Sequence, residues 1–173
     1  MTDECFTVDG NRLTLLEDGR ERLATLIRLL DEARKSIRMI FYIYADDVSG
    51  RRVNAALIAA ARRGVSVRLI VDGFGSDATP SDFFDAVEAA GVSVCRFSAR
   101  FGRRYLLRNH QKLVLVDAEA DPRIIVGGFN VEDDYFGTGA GSWRDLGLLV
   151  AGPAAGRLAE YFDGLDEWVR NPK

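Results

Sequence analysis

His110 is the only histidine in the chain, and two residues later Lys112 stands at the mouth of the apolar run Leu113-Val114-Leu115-Val116. Residues two apart on a strand project to the same side, so an imidazole and an ammonium would emerge together from the strand's N-terminal end. A nucleophile beside a fixed positive charge suits attack on a phosphate ester. The competing reading is a pair of solvated residues at a strand entrance. Asp117 lies seven residues after His110, an odd separation that sends it to the opposite face of an unbroken strand. It reads as a structural acid, satisfied by local backbone donors or a basic partner, although a bulge would reverse that parity.

Gly127-Gly128-Phe129-Asn130 follows a second apolar strand, and paired glycines permit a backbone turn pressed close to a ligand. Two readings of Asn130 stand. Either it caps a short helix whose dipole Glu132, Asp133 and Asp134 complement, or its amide, with Gly128, donates hydrogen bonds to phosphate oxygens. Trp143-Arg144-Asp145 opens a further strand. From there the Asp145 carboxylate can bond one nitrogen of His110, fix its tautomer and leave the other nitrogen free to attack. The alternative is an exposed strand-end acid paired with an arginine. A lone histidine and two distant cysteines make no recognisable metal site, and no cofactor is implied.

The elements that must position these groups alternate along the first hundred residues. Leu13 to Leu16 reads as a strand, followed by an amphipathic helix with Leu23, Leu26, Ile27 and Leu30 at helical spacing. Ile37 to Tyr44 is rich in β-branched and aromatic residues, and an alanine-rich helix runs from Val53 to Arg63 before Gly64. Strands at Val65 to Val71 and Val92 to Phe97 flank a helix from Pro80 to Ala90. Lys112 to Asp117, Arg123 to Val126 and Leu146 to Ala151 read as strands, and Pro153 to about Val169 as a last helix. Continuously apolar strands such as Leu69-Ile70-Val71 call for cover on both faces. The expectation is an α/β domain spanning residues 1–173, a three-layer α/β/α sandwich around a mixed, mainly parallel sheet. Gly137 to Ser142 is the best candidate for a mobile loop.

Composition narrows the function. The 173 residues, 47% of them hydrophobic, are enough to bury a core without metal or disulfide help. Cys5 and Cys95 suit reduced thiols in a cytosolic protein. The longest apolar run, Met39 to Ala45, is too short to cross a bilayer and no signal-peptide pattern opens the chain, so membrane contact is expected to be peripheral. The net charge of −3 argues against a broad grip on nucleic acid. The charge is uneven, however: Arg96, Arg100, Arg103, Arg104, Arg108 and Lys112 form a basic segment without an acid. With Phe101, Tyr105, Leu106 and Leu107 it reads either as a surface for anionic lipid or as a buried strand end with a solvated rim.

Taken together, His110-x-Lys112, four apolar residues, Asp117 and then Gly127-Gly128-x-Asn130 resemble the HKD motif of the phospholipase D superfamily. The resemblance extends through Leu15-Leu16-x-Asp18-Gly19, Tyr42-Ile43, Val71-Asp72-Gly73, Arg108-Asn109-His110 and Trp143-Arg144-Asp145-Leu146, and looks closest to the N-terminal half of bacterial cardiolipin synthases. It implies a covalent phosphohistidine on His110, with Lys112 and Asn130 cradling the phosphate and Gly128 and Arg108 at the substrate. It also implies Asp145 beside the nucleophile and a second HKD half facing the first. That half would come from the rest of a longer chain, the favoured completion, or from a second copy about a two-fold axis. The implied substrate is a phosphatidylglycerol-like phospholipid, met at the inner face of the membrane. Gln111 departs from the arginine of many cardiolipin synthases, and the Ala118 to Pro122 turn is longer and more acidic. The Gly-Gly form of Gly127-Gly128, where nuclease-type members tend to have Gly-Ser, favours a lipid enzyme. A nuclease of the same superfamily and a non-catalytic scaffold or lipid-binding half are the rival readings.

Overall fold

A computed structural model describes residues 5–97, 109–137 and 141–171. Its eight strands form one sheet in the order β1-β2-β8-β7-β6-β3-β4-β5. The strands are β1 Cys5–Val8, β2 Asn11–Leu16, β3 Ser36–Phe41, β4 Ser66–Asp72, β5 Ser93–Phe97, β6 Leu113–Val116, β7 Arg123–Gly127 and β8 Gly147–Ala151. Between them run α1 Gly19–Glu32, α2 Val48–Arg62, α3 Asp85–Ala89, α4 Asp133–Phe136, α5 Pro153–Gly156 and α6 Leu158–Arg170.

The alternation of β3 assigns the layers. Ile37, Met39 and Phe41 face the core beneath α1 and α2, with Leu23, Leu26, Leu30, Val53 and Leu57. Ile40 faces the other way, into a second core with Ile70, Leu115, Ile124 and Phe162 of α6. Each such fully buried side chain contributes roughly 1.5–3 kcal/mol relative to exposure. The layered α/β arrangement expected from the apolar strands is therefore present. The side beneath α6 is also ionic: Asp163 accepts from Arg38 at 3.1 Å and pairs with Arg68 at 2.5 Å, and Asp166 pairs with Arg68 at 3.3 Å. Burial pushes the Asp163 carboxyl up, but its bonds to the two arginines outweigh this and hold it below its ordinary value.

The expected parallel character holds only for β3-β4-β5. The β3–β4 and β4–β5 pairings are parallel, whereas β1–β2, β2–β8, β8–β7, β7–β6 and β6–β3 are antiparallel. The reason is connection length. Helical crossovers enforce parallel neighbours early in the chain, while the short turn from Val116 to Arg123 permits only an antiparallel pair. Helices also begin and break differently from the pattern in the sequence. Asp47 caps α2 by accepting from the Gly50 amide at 2.8 Å, which starts the helix five residues before Val53. The last helix divides at Arg157. Residues Ser81–Phe84 form a 3-10 turn before a short α3.

Candidate active site

One end of this sheet collects His110, Lys112, Gly128, Asn130 and Asp145. Asp72, buried at the end of β4, accepts from the Phe74 and Gly75 amides through Oδ1 (3.0 and 2.9 Å) and from the Asn109 amide through Oδ2 (2.8 Å). Asn109 Oδ1 in turn accepts from the Gln111 amide at 3.1 Å. These bonds bend the chain just before β6, so that His110 is exposed while Lys112 is buried. The Lys112 ammonium folds back to within 2.9 Å of His110 Nδ1 and 3.3 Å of Nε2, and donates to the His110 carbonyl at 2.9 Å. An ammonium can only donate, so the ring nitrogen it bonds is the one that carries a lone pair.

Tyr42, just past β3, packs its ring against the imidazole with centroids 4.4 Å apart, and its face lies 5.3 Å from the Lys112 ammonium. The next residue links this pair to the glycine turn. Asn130, 2% exposed, accepts from the Ile43 amide at 3.0 Å through Oδ1. The Val131 amide donates to the Ile43 carbonyl at 3.1 Å, and the Ala45 amide to the Val131 carbonyl at 2.8 Å. With Oδ1 engaged, the remaining polar group of this carboxamide is its NH2, a donor. The capping reading of Asn130 is not met, because α4 takes Glu132 as its N-cap residue.

Gly128 is where the turn needs a missing side chain, since a Cβ there would lie 2.9 Å from both Asp145 carboxylate oxygens. Asp145 thus sits against the glycine turn and accepts from the Leu146 amide at 2.7 Å. Among the described residues no hydrogen bond or ion pair joins it to His110; its charge acts on Lys112 and on Arg22. Burial lowers the lysine pKa from 10.5, and the Asp145 charge offsets part of that shift. The Asp145 backbone is fixed by Arg22, which is 1% exposed and donates to the carbonyls of Asp145, Leu16, Glu17 and Tyr135.

Asp117 lies at the other end of β6. Its carboxylate accepts from the amides of Arg34, Lys35 and Ser36 at 2.7–3.1 Å, which are backbone donors from the α1–β3 loop rather than from its own turn. Arg108 lies outside the described residues, as do Arg100, Arg103, Arg104, Phe101, Tyr105, Leu106 and Leu107 and part of the glycine-rich loop. Among the described residues no group of three His, Cys, Asp or Glu is placed to hold a metal ion.

Tyr42, Asp72 and Arg22 were not singled out by their chemistry in the sequence, yet each carried a signal. Asp72 is an acid ending a buried apolar strand, where a carboxylate must find donors. Arg22 occupies the apolar stripe of α1, beside Leu23 and Leu26. Tyr42 continues the period-two face of Ile40 past the strand end.

Comparison with known proteins places this geometry in a family. The model described as "Cardiolipin synthase, PLD-like domain" matches residues 26–165. Cardiolipin synthase 1 of Bacillus cereus is 34% identical over 167 residues, covering 93% of this chain and 32% of that protein. The major cardiolipin synthase ClsA of Bacillus subtilis is 33% identical over 168 residues, covering 94% and 34%. The chain spans about a third of the length of these curated relatives. Among solved structures, NucT from Helicobacter pylori superposes with a TM-score of 0.70 at 17% identity, covering 91% of this chain and 96% of that one. Nuc from Salmonella typhimurium, a phospholipase D family member, superposes with a TM-score of 0.62 at 20% identity, covering 88% and 93%. These two likenesses speak to the fold, while the family match and the cardiolipin synthases carry the assignment: the chain belongs to the cardiolipin synthase group of phospholipase D-like domains.

Proposed function

We propose that this chain is one catalytic half of a phosphatidyl-transfer enzyme, a single phospholipase D-like domain over residues 1–173. His110 is its nucleophile, and Lys112 and the Asn130 NH2 hold the phosphate. The observation that carries the reading is the exposed imidazole with the Lys112 ammonium 2.9 Å from Nδ1. An incoming phosphodiester draws that ammonium onto its oxygens and leaves Nδ1 or Nε2 free. The freed nitrogen attacks phosphorus, the P–O bond to the alcohol breaks, and the departing alkoxide takes a proton from an acid. An acceptor alcohol, having lost its proton to a base, then attacks the phosphohistidine, the P–N bond breaks and the imidazole is regenerated. Water in place of the alcohol gives hydrolysis.

Gly128 brings backbone close to the same oxyanion, and Asp145 sustains the charge on Lys112 instead of bonding the imidazole. Asp117 supports the strand. Arg108, two residues before the nucleophile, is assigned to the substrate by the family resemblance. With His110 the only histidine, the leaving-group acid comes from a second HKD half. The chain's third-length match to its relatives favours a half elsewhere in the same protein over a homodimer. The substrate is a phosphatidylglycerol-like lipid, reached peripherally from the cytoplasmic face. No described helix is long and apolar enough to cross a membrane.

Incubation with phosphorus-labelled phosphatidylglycerol, with the chain alone and joined to its partner half, tests this. The expected result is an acid-labile adduct lost in His110→Ala and kept in Cys95→Ala. Absence of any adduct in the assembled form overturns the catalytic reading in favour of a scaffold. Cleavage of single-stranded DNA with untouched lipid replaces it with a nuclease.

A further inference from the structure

Beside the proposed phosphate site a cleft of 390 Å³ opens between the sheet end and the start of α6. Its volume lies in the range of small-molecule sites, about 300–1,000 Å³. His110 and Lys112 form its polar end. The walls are Leu113 of β6, Val126 of β7, and Leu158 and Tyr161 of α6. Gln111, on the rim, accepts from the Tyr161 hydroxyl at 2.5 Å, which engages the hydroxyl at the rim and leaves the tyrosine ring as wall. Beyond the His110–Lys112 pole, no charged side chain lines the cleft among the described residues.

We infer that this cleft seats the glycerol-ester end of a phospholipid, with the phosphate at His110 and Lys112 and the first methylenes of an acyl chain against Leu113, Val126, Leu158 and Tyr161. The inference rests on the phosphodiester reading of His110 and names which part of the substrate lies on the α6 side of it. Continuity decides the occupant. Whatever fills the cleft is covalently next to a phosphate, and the walls ask for a neutral, apolar neighbour. A polynucleotide places further phosphates beside the scissile one and needs cations or stacking partners along its path, and among the described residues the wall of Leu113, Val126, Leu158 and Tyr161 offers neither a cation nor a pair of aromatic faces. An apolar segment with ester oxygens matches it.

Binding to the full chain, followed by amide and methyl NMR, tests the inference without requiring turnover. The ligands are dihexanoyl phosphatidylglycerol below its micelle concentration, its deacylated counterpart glycerophosphoglycerol, inorganic phosphate and a thymidine dinucleotide. Burying two methylenes is worth roughly tenfold in affinity. The dihexanoyl lipid is therefore expected to bind at least tenfold more tightly than the deacylated diester and to shift Val126, Leu158 and Tyr161. Val126→Trp and Leu158→Trp fill the cleft and are expected to abolish that advantage with phosphate affinity unchanged. Equal affinity for the acylated and deacylated diesters on the unmodified chain overturns the inference, and needs no variant to fold. So does an advantage that survives both substitutions, or equal occupancy of the cleft by the dinucleotide. Loss of phosphate binding in folded wall variants also overturns it, by making the wall part of the phosphate pole. Failure of the phosphohistidine chemistry itself is read separately, from the absence of an adduct at His110.

Discussion

Replacing Asp117 separates the structural from the chemical part of the HKD motif, and the cost can be worked from its surroundings. The carboxylate is 4% exposed and receives three backbone N–H groups, of Arg34, Lys35 and Ser36. A hydrogen bond to a charged acceptor is worth about 1.5–3 kcal/mol, and a buried donor left without a partner costs about 1–3 kcal/mol. Two of the donors border an open hollow lined by Ala33, Arg34 and Lys35, where water can replace the lost acceptor, so only the buried Ser36 amide bears the full penalty. Asp117 also has φ +49°, a conformation that costs most L residues roughly 1–2 kcal/mol but which Asn and Asp tolerate. Asp117→Ala is therefore expected to lose about 4 kcal/mol of unfolding free energy and Asp117→Asn about 2 kcal/mol. Urea unfolding at neutral pH, followed by far-UV circular dichroism, measures both. The native fraction of each variant is expected to keep the His110 adduct of the assembled enzyme. An alanine variant within about 1 kcal/mol of the parent refutes the hydrogen-bond reasoning. Loss of the adduct from a fully folded variant refutes the division of roles.

Three other outcomes are expected. Asp145→Asn removes a charge that supports the Lys112 ammonium, so the lysine pKa, already lowered by burial, falls further; NMR titration of its Nζ reads this, and an upward move contradicts the electrostatic role. Gly127→Ala brings a Cβ to 2.6 Å from the Leu146 carbonyl and 2.8 Å from the Phe129 ring, and is expected to cost roughly 1–3 kcal/mol of stability in urea unfolding. Asp163 and Glu119 both titrate below their ordinary carboxyl values, because bonds to Arg38 and, respectively, Arg68 and Ser36 outweigh the effect of burial. Their stabilisation is thus complete above the unfolded-state values near pH 4 and is lost as pH falls through the lower folded-state values. The stability gap between the parent and Asp163→Asn should narrow from pH 6 to pH 3, and a constant gap would argue against the ion pairs.

Much of this was legible in the sequence because the signals were local. The two-residue spacing of His110 and Lys112, the paired glycines and the apolar strands each report on a handful of neighbours, and period and turn chemistry suffice for those. What escaped was set by partners far along the chain. The antiparallel character of the sheet depends on β8 lying between β2 and β7, which no single strand encodes. Asn130 looked like a helix cap because Glu132, Asp133 and Asp134 follow it, yet its acceptor is taken by Ile43, 87 residues away. Asp145 looked like a partner for His110 because the charge types match. Its backbone is instead held by Arg22 from α1, and its carboxylate lies against Gly128.

The position of Asp117 gives the structural acid a bearing on the chemistry that simple distance hides. It lies four residues beyond Leu113 on a strand that rises about 3.3 Å per residue, too far to touch the same phosphate as Lys112. Yet the Asp117 amide donates to the Ser36 carbonyl at 2.9 Å while the carboxylate accepts from the Ser36 amide at 3.1 Å. This two-way clamp locks β6 to β3 in the register Ile37↔Val116 and Ile40↔Leu113. A slip of one residue would move the strand by about 3.3 Å and turn every side chain to the other face. It would carry the His110 ring, and Lys112 with it, away from Tyr42, whose ring is now 4.4 Å from the imidazole. The acid at one end of the strand thus braces the register in which the imidazole at the other end is delivered, a register that the native fraction of an Asp117 variant keeps through the backbone bond to Ser36.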